Sequence, residues 1–325
     1  MKRRAGGASK RPLLIAAGVS LWAASQLRSR LGYILQGRTV LITGGSRGLG
    51  LALARRMADE GARLAICGRD PESLERARAS LAKLGAEVMA VPADVTDPAS
   101  VEELIEAVRQ RLGPIDVLIN NAGVIEVGPA VTASVADYEE AMATNFWGML
   151  YPTLALLPEM RARRSGRIVN ITSIGGKLGL PHHLPYSASK FAAVGFSQGL
   201  RAELAAEGIK VVTVCPGLIR TGSPRNAIFR GQHRSEYAWF SISDPLPGLS
   251  MSAEKAARRI VAACRRGDAE VLFPLPARVA AIVNAVAPGL TARVLAGVDR
   301  LLPGGEDGSL GRLGDRAAKK YNQIA

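Results

Sequence analysis

The sequence predicts an α/β fold with a doubly wound parallel sheet, and three observations carry the prediction. Seven short apolar runs recur through the middle of the chain, and they are continuous, as strands buried on both faces are. Stretches with helical periodicity separate them, the alternation that builds a parallel sheet covered on both sides. No internal repeat or linker divides residues 37–274 of the 325-residue chain. A basic and apolar segment over 1–36 precedes this domain, and an extension over 275–325 follows it, apolar and helical first and polar at its end.

Composition narrows the function classes. With 48% hydrophobic and 22% charged residues the chain is not disordered. Cys67, Cys215 and Cys264 lie far apart with no C-x-x-C, which excludes a disulfide framework and a cysteine-built zinc site and suits a reducing compartment. The net charge is +14, yet residues 1–37 alone hold seven basic groups and no acid. A nucleic-acid binder spreads its cations over a folded face, so nucleic acid is not an expected partner. An anionic membrane surface is.

The elements follow in chain order. Residues 12–27 carry no charge and would span about 24 Å as a helix, short of the ~30 Å hydrocarbon core. Three readings fit: a cleaved secretory signal, an anchor whose flanking Arg11 and Arg28 snorkel outward, or a helix packed on the domain behind it. The first strand, 39–43, enters Thr43-Gly44-Gly45-Ser46-Arg47-Gly48-Leu49-Gly50 and then an Ala/Leu/Arg helix. Glycines there let the backbone approach a pyrophosphate that the helix N-terminus stabilises. The spacing is G-x3-G-x-G, without the Gly-Lys-Ser/Thr of a P-loop. Strands at 62–67 and 87–91 follow, and Asp94-Val95 comes just after the second of these. The fourth strand, 117–120, is closed by Asn120-Asn121-Ala122-Gly123. The fifth, 167–172, ends at Ser173, and Tyr186-Ser187-Ala188-Ser189-Lys190 comes thirteen residues later. A sixth, 210–215, leads into Pro216-Gly217-Leu218-Ile219-Arg220-Thr221, and the seventh is 270–273.

This ordered set resembles the short-chain dehydrogenase/reductase family over residues 37–274. The resemblance implies a Rossmann-like, seven-stranded parallel sheet that binds NAD(P) at its C-terminal edge. It assigns Ser173, Tyr186 and Lys190 to catalysis and Asn145 to a proton relay through water to Lys190. Tyr186 and Lys190 also meet the cofactor in this assignment. Gly44, Ser46, Arg47, Gly48, Leu49, Gly50, Asn121, Ala122 and Gly123 fall in cofactor-binding motifs. Asp94 and Val95 match the adenine-contacting pair, and Ile219 and Thr221 the residues that hold the nicotinamide carboxamide.

The chemistry accounts for the residue types. Tyr186 and Lys190 stand at i and i+4 on one helix face. A phenol with a pKa of ~10 exchanges protons poorly at neutral pH, and an adjacent ammonium favours the phenolate. Tyr186 then protonates a carbonyl oxygen, or removes the proton in reverse, while Ser173 orients that oxygen. The second strand carries no acid at its tip to accept from ribose hydroxyls; Arg69 stands there and Asp70 one residue beyond. Arg69 and Arg47 suit a 2′-phosphate, so NADP(H) is expected over NAD(H). His182 and His183 precede Tyr186 and either line the substrate entrance or sit in a solvated loop; no metal site is expected. Residues 222–250 occupy the family's substrate-lid position and do not name the substrate.

At the far end, Val279, Val283, Val286 and Leu290 follow helical spacing, and Val294, Val298 and Leu301 resume it after Pro288-Gly289. Two short apolar helices are expected, covering either a membrane surface or a dimer or core partner. The functional expectation is an NADP(H)-dependent oxidoreductase acting on a lipophilic carbonyl or alcohol. It is expected to form a homo-oligomer and to be membrane-associated, with an uncleaved N-terminus and the catalytic domain on the cytoplasmic side, or otherwise to be cytoplasmic. The alternatives are a cofactor-binding regulatory or scaffold protein and a nucleotide-sugar epimerase or dehydratase. The intact Ser173/Tyr186/Lys190 set argues against the scaffold, and the glycine spacing and short C-terminal part against the epimerase.

Overall fold

The structure, a computed structural model, describes residues 32–243, 250–304 and 312–313. Residues 12–27 lie outside the described residues. The chain begins with β1 (Thr39–Thr43), α1 (Gly48–Asp59), β2 (Arg63–Gly68), α2 (Pro71–Ala82), β3 (Val88–Pro92), α3 (Pro98–Leu112) and β4 (Val117–Asn120). Then come β5 (Glu126–Val127), α4 (Val135–Met142), a π-helical turn (Ala143–Trp147), α5 (Gly148–Ala162), β6 (Gly166–Ile171) and α6 (Leu184–Glu203). β7 (Ile209–Pro216), β8 (Leu218–Arg220), β9 (Ile228–Phe229), α7 (His233–Ser243), β10 (Ser250–Ser252) and α8 (Ala253–Arg266) follow. The described chain closes with β11 (Glu270–Phe273), α9 (Leu275–Val286), α10 (Pro288–Asp299) and β12 (Arg312–Leu313).

The seven apolar runs form one parallel sheet in the order β11-β7-β6-β4-β1-β2-β3. Strand pleat explains the two cores. Val40 and Ile42 of β1 face a layer with Leu53 and Met57 of α1 and Ile260 of α8. Leu41 between them faces the opposite layer, with Leu104 and Val108 of α3 and Leu156 of α5. Each helix covers one face because its apolar side chains recur at helical spacing. Two starts are set by the same device: Asp70 and Asp97 accept from the first free N–H groups of α2 and α3, each followed by Pro at the first helical position.

The strand order reverses between β1 and β4. In a doubly wound sheet the crevice outside the carboxyl ends of strands at that reversal takes ligands. Over the same edge sit two smaller sheets, β10-β8 and β12-β9-β5. The extension after β11 is two helices broken at Ala287, and α9 and α10 pack on one another.

Candidate active site

The glycine loop is a cradle that side chains would fill. Gly48 has φ +53°, a left-handed conformation, and a Cβ there would meet Thr221 Cβ at 3.3 Å. A Cβ at Gly50 would stand 2.1 Å from the Gly44 carbonyl oxygen, so only glycine allows this close approach. Asn121 Nδ2 donates to the carbonyls of Thr43 and Gly44, both at 3.0 Å. Thr43 Oγ1 accepts from the N–H groups of Asn121 and Ala122 at 3.0 Å. The ends of β1 and β4 are thereby locked side by side, and the N-terminus of α1, with half-buried Leu49 in its first turn, opens onto the crevice. These groups fit a dinucleotide pyrophosphate: a bare backbone concavity at a helix N-terminus.

The other candidate cofactor residues lie at neighbouring strand ends. A Cβ at Gly68 would lie 3.8 Å from Ser46 Oγ, so the end of β2 and the glycine loop adjoin. Arg47 and Arg69 are exposed beside them. Asp70 is occupied as the cap of α2, which explains why the acid after Arg69 is not at the strand tip. Asp94 Oδ1 accepts from Thr96 N–H and Oγ1, and Val95 is buried against Gly148. Ile219 lies on β8, paired with Met251 of β10.

The catalytic candidates converge on the same edge. Ser173 Oγ accepts from Gly175 N–H at 3.0 Å, and its hydroxyl acts on Tyr186 to lower the phenol's pKa. Gly175 lets the phenol ring come close, since a Cβ there would be 3.2 Å from Tyr186 Cε1. Lys190 Nζ donates to the Ile171 carbonyl at 3.2 Å and lies 5.6 Å from the centre of the Tyr186 ring. Asn145 is held in the π-helical turn, an interruption of the helix that re-aims a side chain. Its Oδ1 accepts from Val124 N–H, and its Nδ2 donates to Val124 O and Ser189 Oγ. A Cβ at Gly123 would meet Asn145 Oδ1 at 2.8 Å and Lys190 Nζ at 3.6 Å, so these two polar ends flank one glycine.

Lys190 was to pull the Tyr186 phenol down, but burial pushes that phenol above its ordinary value, against the lowering by Ser173. Burial also brings the Lys190 ammonium down to about 8. The physical reason is desolvation: both charged forms lose water, and the ammonium is bonded to a backbone carbonyl instead of the phenol.

The two histidines are both buried, which removes the solvated-loop reading. His183 packs its ring 6.3 Å from Tyr186, 5.8 Å from Trp239 and 5.6 Å from Phe240. Burial lowers its pKa, so the imidazole is neutral at pH 7 and forms part of an aromatic wall. His182, at φ +59°, places Nδ1 2.8 Å from Glu236 Oε1 of α7, and Nε2 3.8 Å from Asp299 of α10. Glu236 also accepts from Trp239 Nε1 at 2.6 Å. The lead-in to Tyr186 is thereby tied to α7 and to α10. Nothing in the sequence signals this contact, because its partners are 54 and 117 residues apart.

Glu126, on β5, was also missed. Both its carboxylate oxygens are buried without a hydrogen-bond partner, and Asp137 and Glu140 are its acidic neighbours. Arg230 counters them but is paired to Asp137. Burial first, then the two acids, push Glu126 up to about 7. The fold therefore favours the protonated form, and the stability this gives is lost as pH rises from the unfolded value near 4.5 through about 7. Glu126→Gln should abolish that loss. Between pH 5 and 8 its stability advantage should widen by roughly 2–3 kcal/mol. Denaturant melts of both proteins across this range check it, and parallel curves would show that Glu126 stays ionised.

Comparison with known proteins points to one family. The family model described as short chain dehydrogenase matches residues 38–228. A dehydrogenase/reductase SDR family protein 7-like from Anopheles gambiae is 35% identical over 262 residues, covering 79% of this chain and 81% of its own. L-Sorbose reductase from Gluconobacter frateurii, solved with NADPH and L-sorbose, superposes with TM-score 0.66 at 28% identity. The match covers 74% of this chain and 95% of the reductase. A variant of actinorhodin polyketide ketoreductase, solved with NADPH, gives TM-score 0.64 at 34% identity over 73% of this chain and 95% of its own. With the sheet order, the glycine cradle and the matched residues in register, the chain belongs to the short-chain dehydrogenase/reductase family of NAD(P)-dependent oxidoreductases.

Proposed function

We infer that the protein interconverts a carbonyl and an alcohol on a lipophilic substrate, using NADP(H) and Tyr186 as the acid/base. The observation that carries this reading is the convergence of the Tyr186 ring and Ser173 Oγ on Gly175, with the Lys190 ammonium 5.6 Å from the ring centre on the next turn. The chemistry that bound NADPH supplies there is a hydride to the carbonyl carbon. Ser173 donates to the substrate oxygen and orients it. Tyr186 transfers its phenolic proton to that oxygen as negative charge develops, and the Lys190 cation stabilises the phenolate left behind. Asn145, beside Lys190, holds the relay that returns the proton. Residues 37–274 serve as the catalytic domain.

Lipophilicity is supported by the wall of neutral His183, Trp239 and Phe240 next to Tyr186. Membrane attachment is supported by the uncharged 12–27 run between basic flanks, although among the described residues no helix is long and apolar enough to cross a membrane. Exposed Trp147, Leu154 and Phe191, around α5 and α6, support self-association of the catalytic domain.

Arg69 and Arg47 support NADPH over NADH, which gives the test of the cofactor reading. In Arg69→Asp the ratio of kcat/KM for NADPH to that for NADH should fall about 10–100-fold, the loss of one charged hydrogen bond to the 2′-phosphate. A preference of the unaltered protein for NADH would refute the assignment of these arginines.

A further inference from the structure

We propose that α9 and α10 form a second membrane contact, an in-plane apolar hairpin that presses the substrate side of the crevice against an anionic lipid bilayer. Leu275, Val279, Ile282 and Val286 recur at spacings of four, three and four along α9, and every one is at least half exposed. Leu290, Val294 and Val298 recur every four residues along α10, with Leu301 just beyond, all exposed. Ala277 is the only buried residue of α9, and α10 has none. An amphipathic helix is stabilised by covering its apolar face, and water does not cover it.

Length and charge select the partner. Each helix is twelve residues, about 18 Å, too short to span and suited to lying in the interface. Between residues 275 and 301 the charges are Arg278, Arg293, Arg300 and a single acid, Asp299, which faces His182. The stripe is therefore flanked by cations, and the 31 residues before the described chain add seven more beside an uncharged run. Both features complement anionic headgroups over acyl chains.

Placement gives the surface its consequence. A Cβ at Gly217 would be 2.9 Å from Ala277 Cβ, so α9 leans on the segment that leads into β8, with Ile219, and on to Thr221. Asn284 Nδ2 donates to the Lys177 carbonyl at 2.9 Å, just past Ser173, and Asp299 reaches His182 ahead of Tyr186. The hairpin is thus fastened to three segments that rim the crevice. A lipid-dissolved carbonyl would reach Tyr186 without crossing water; this part rests on the lipophilic-substrate reading, while the docking itself does not.

The cysteines of the chain are all buried, so a cysteine placed at Val294 can be labelled selectively in the full-length protein. With an environment-sensitive fluorophore at Val294→Cys, vesicles of phosphatidylcholine and phosphatidylserine should raise and blue-shift the emission several-fold. Phosphatidylcholine alone should do so more weakly, and a label at exposed Glu102→Cys should not respond. A label already in an apolar setting before vesicles are added, and indifferent to them, would overturn the proposal in favour of cover by residues 1–31. A signal that follows protein concentration with a doubling of mass would overturn it in favour of a second copy. In Val286→Glu/Leu290→Glu/Val294→Glu, reduction of a vesicle-dissolved carbonyl should fall about tenfold while that of a water-soluble one is unchanged. If the label enters the bilayer yet only water-soluble carbonyls are reduced, the docking surface stands and the lipophilic-substrate reading falls.

Discussion

Tyr186→Phe is expected to bind NADPH as the unaltered protein does and to lose about 10²–10⁴-fold in turnover, the worth of a positioned general acid. The substitution removes one oxygen and leaves the ring, which packs against Gly175. Only an interaction with the Ser173 hydroxyl is lost, so stability should change by no more than about 1 kcal/mol. The glycine cradle does not involve the phenol oxygen, and cofactor affinity should stay within about twofold. Cofactor titration by fluorescence and steady-state kinetics on the same preparation separate the two effects. Near-normal turnover would remove Tyr186 from the mechanism, whereas loss of binding with turnover would recast it as a positioning residue.

Gly50→Ala is expected to weaken NADPH binding by at least about tenfold and to destabilise the fold by about 1–3 kcal/mol, the usual range for an overpacked methyl group. The added methyl would stand 2.1 Å from the Gly44 carbonyl oxygen and 2.7 Å from Asn121 Nδ2. Asn121 can turn aside only by giving up its bonds to Thr43 and Gly44. The carbonyl cannot yield without opening the loop that shapes the cradle. Ala substituted at Gly199, an exposed helical position with open space around it, is the control and should leave binding unchanged. Equal affinities in the two variants would show that the loop does not contact the cofactor.

The sheet was legible because burial on both faces leaves uninterrupted apolar runs. Positions 39–43, 117–120 and 270–273 coincide with β1, β4 and β11, and 62–67 and 87–91 are each displaced by one residue from β2 and β3. The glycine loop and the Tyr186/Lys190 spacing were legible because backbone approach and a shared helix face constrain residue type directly. The small sheets β10-β8 and β12-β9-β5 were not, since strands of two or three residues carry no periodicity. The π-helical turn at Asn145 looks in sequence like ordinary helix. Glu126 and the His182–Glu236 contact depend on which loops the fold brings together, and the balance between Lys190 and burial at Tyr186 depends on desolvation. Such quantities belong to the folded chain alone.

The proposed reaction is hydride transfer from NADPH to a carbonyl carbon with Tyr186 as the acid. The most direct measurement gives the full-length protein NADPH carrying deuterium at the transferable nicotinamide C4 position, with a panel of lipophilic ketones and aldehydes. Consumption is followed by reduced-nicotinamide absorbance and the alcohol by mass spectrometry. The expected result is an alcohol with one deuterium on the former carbonyl carbon, formed in step with NADPH loss and absent with Tyr186→Phe. Cofactor that binds and is never consumed across the panel, or product formed equally well by Tyr186→Phe, would contradict it.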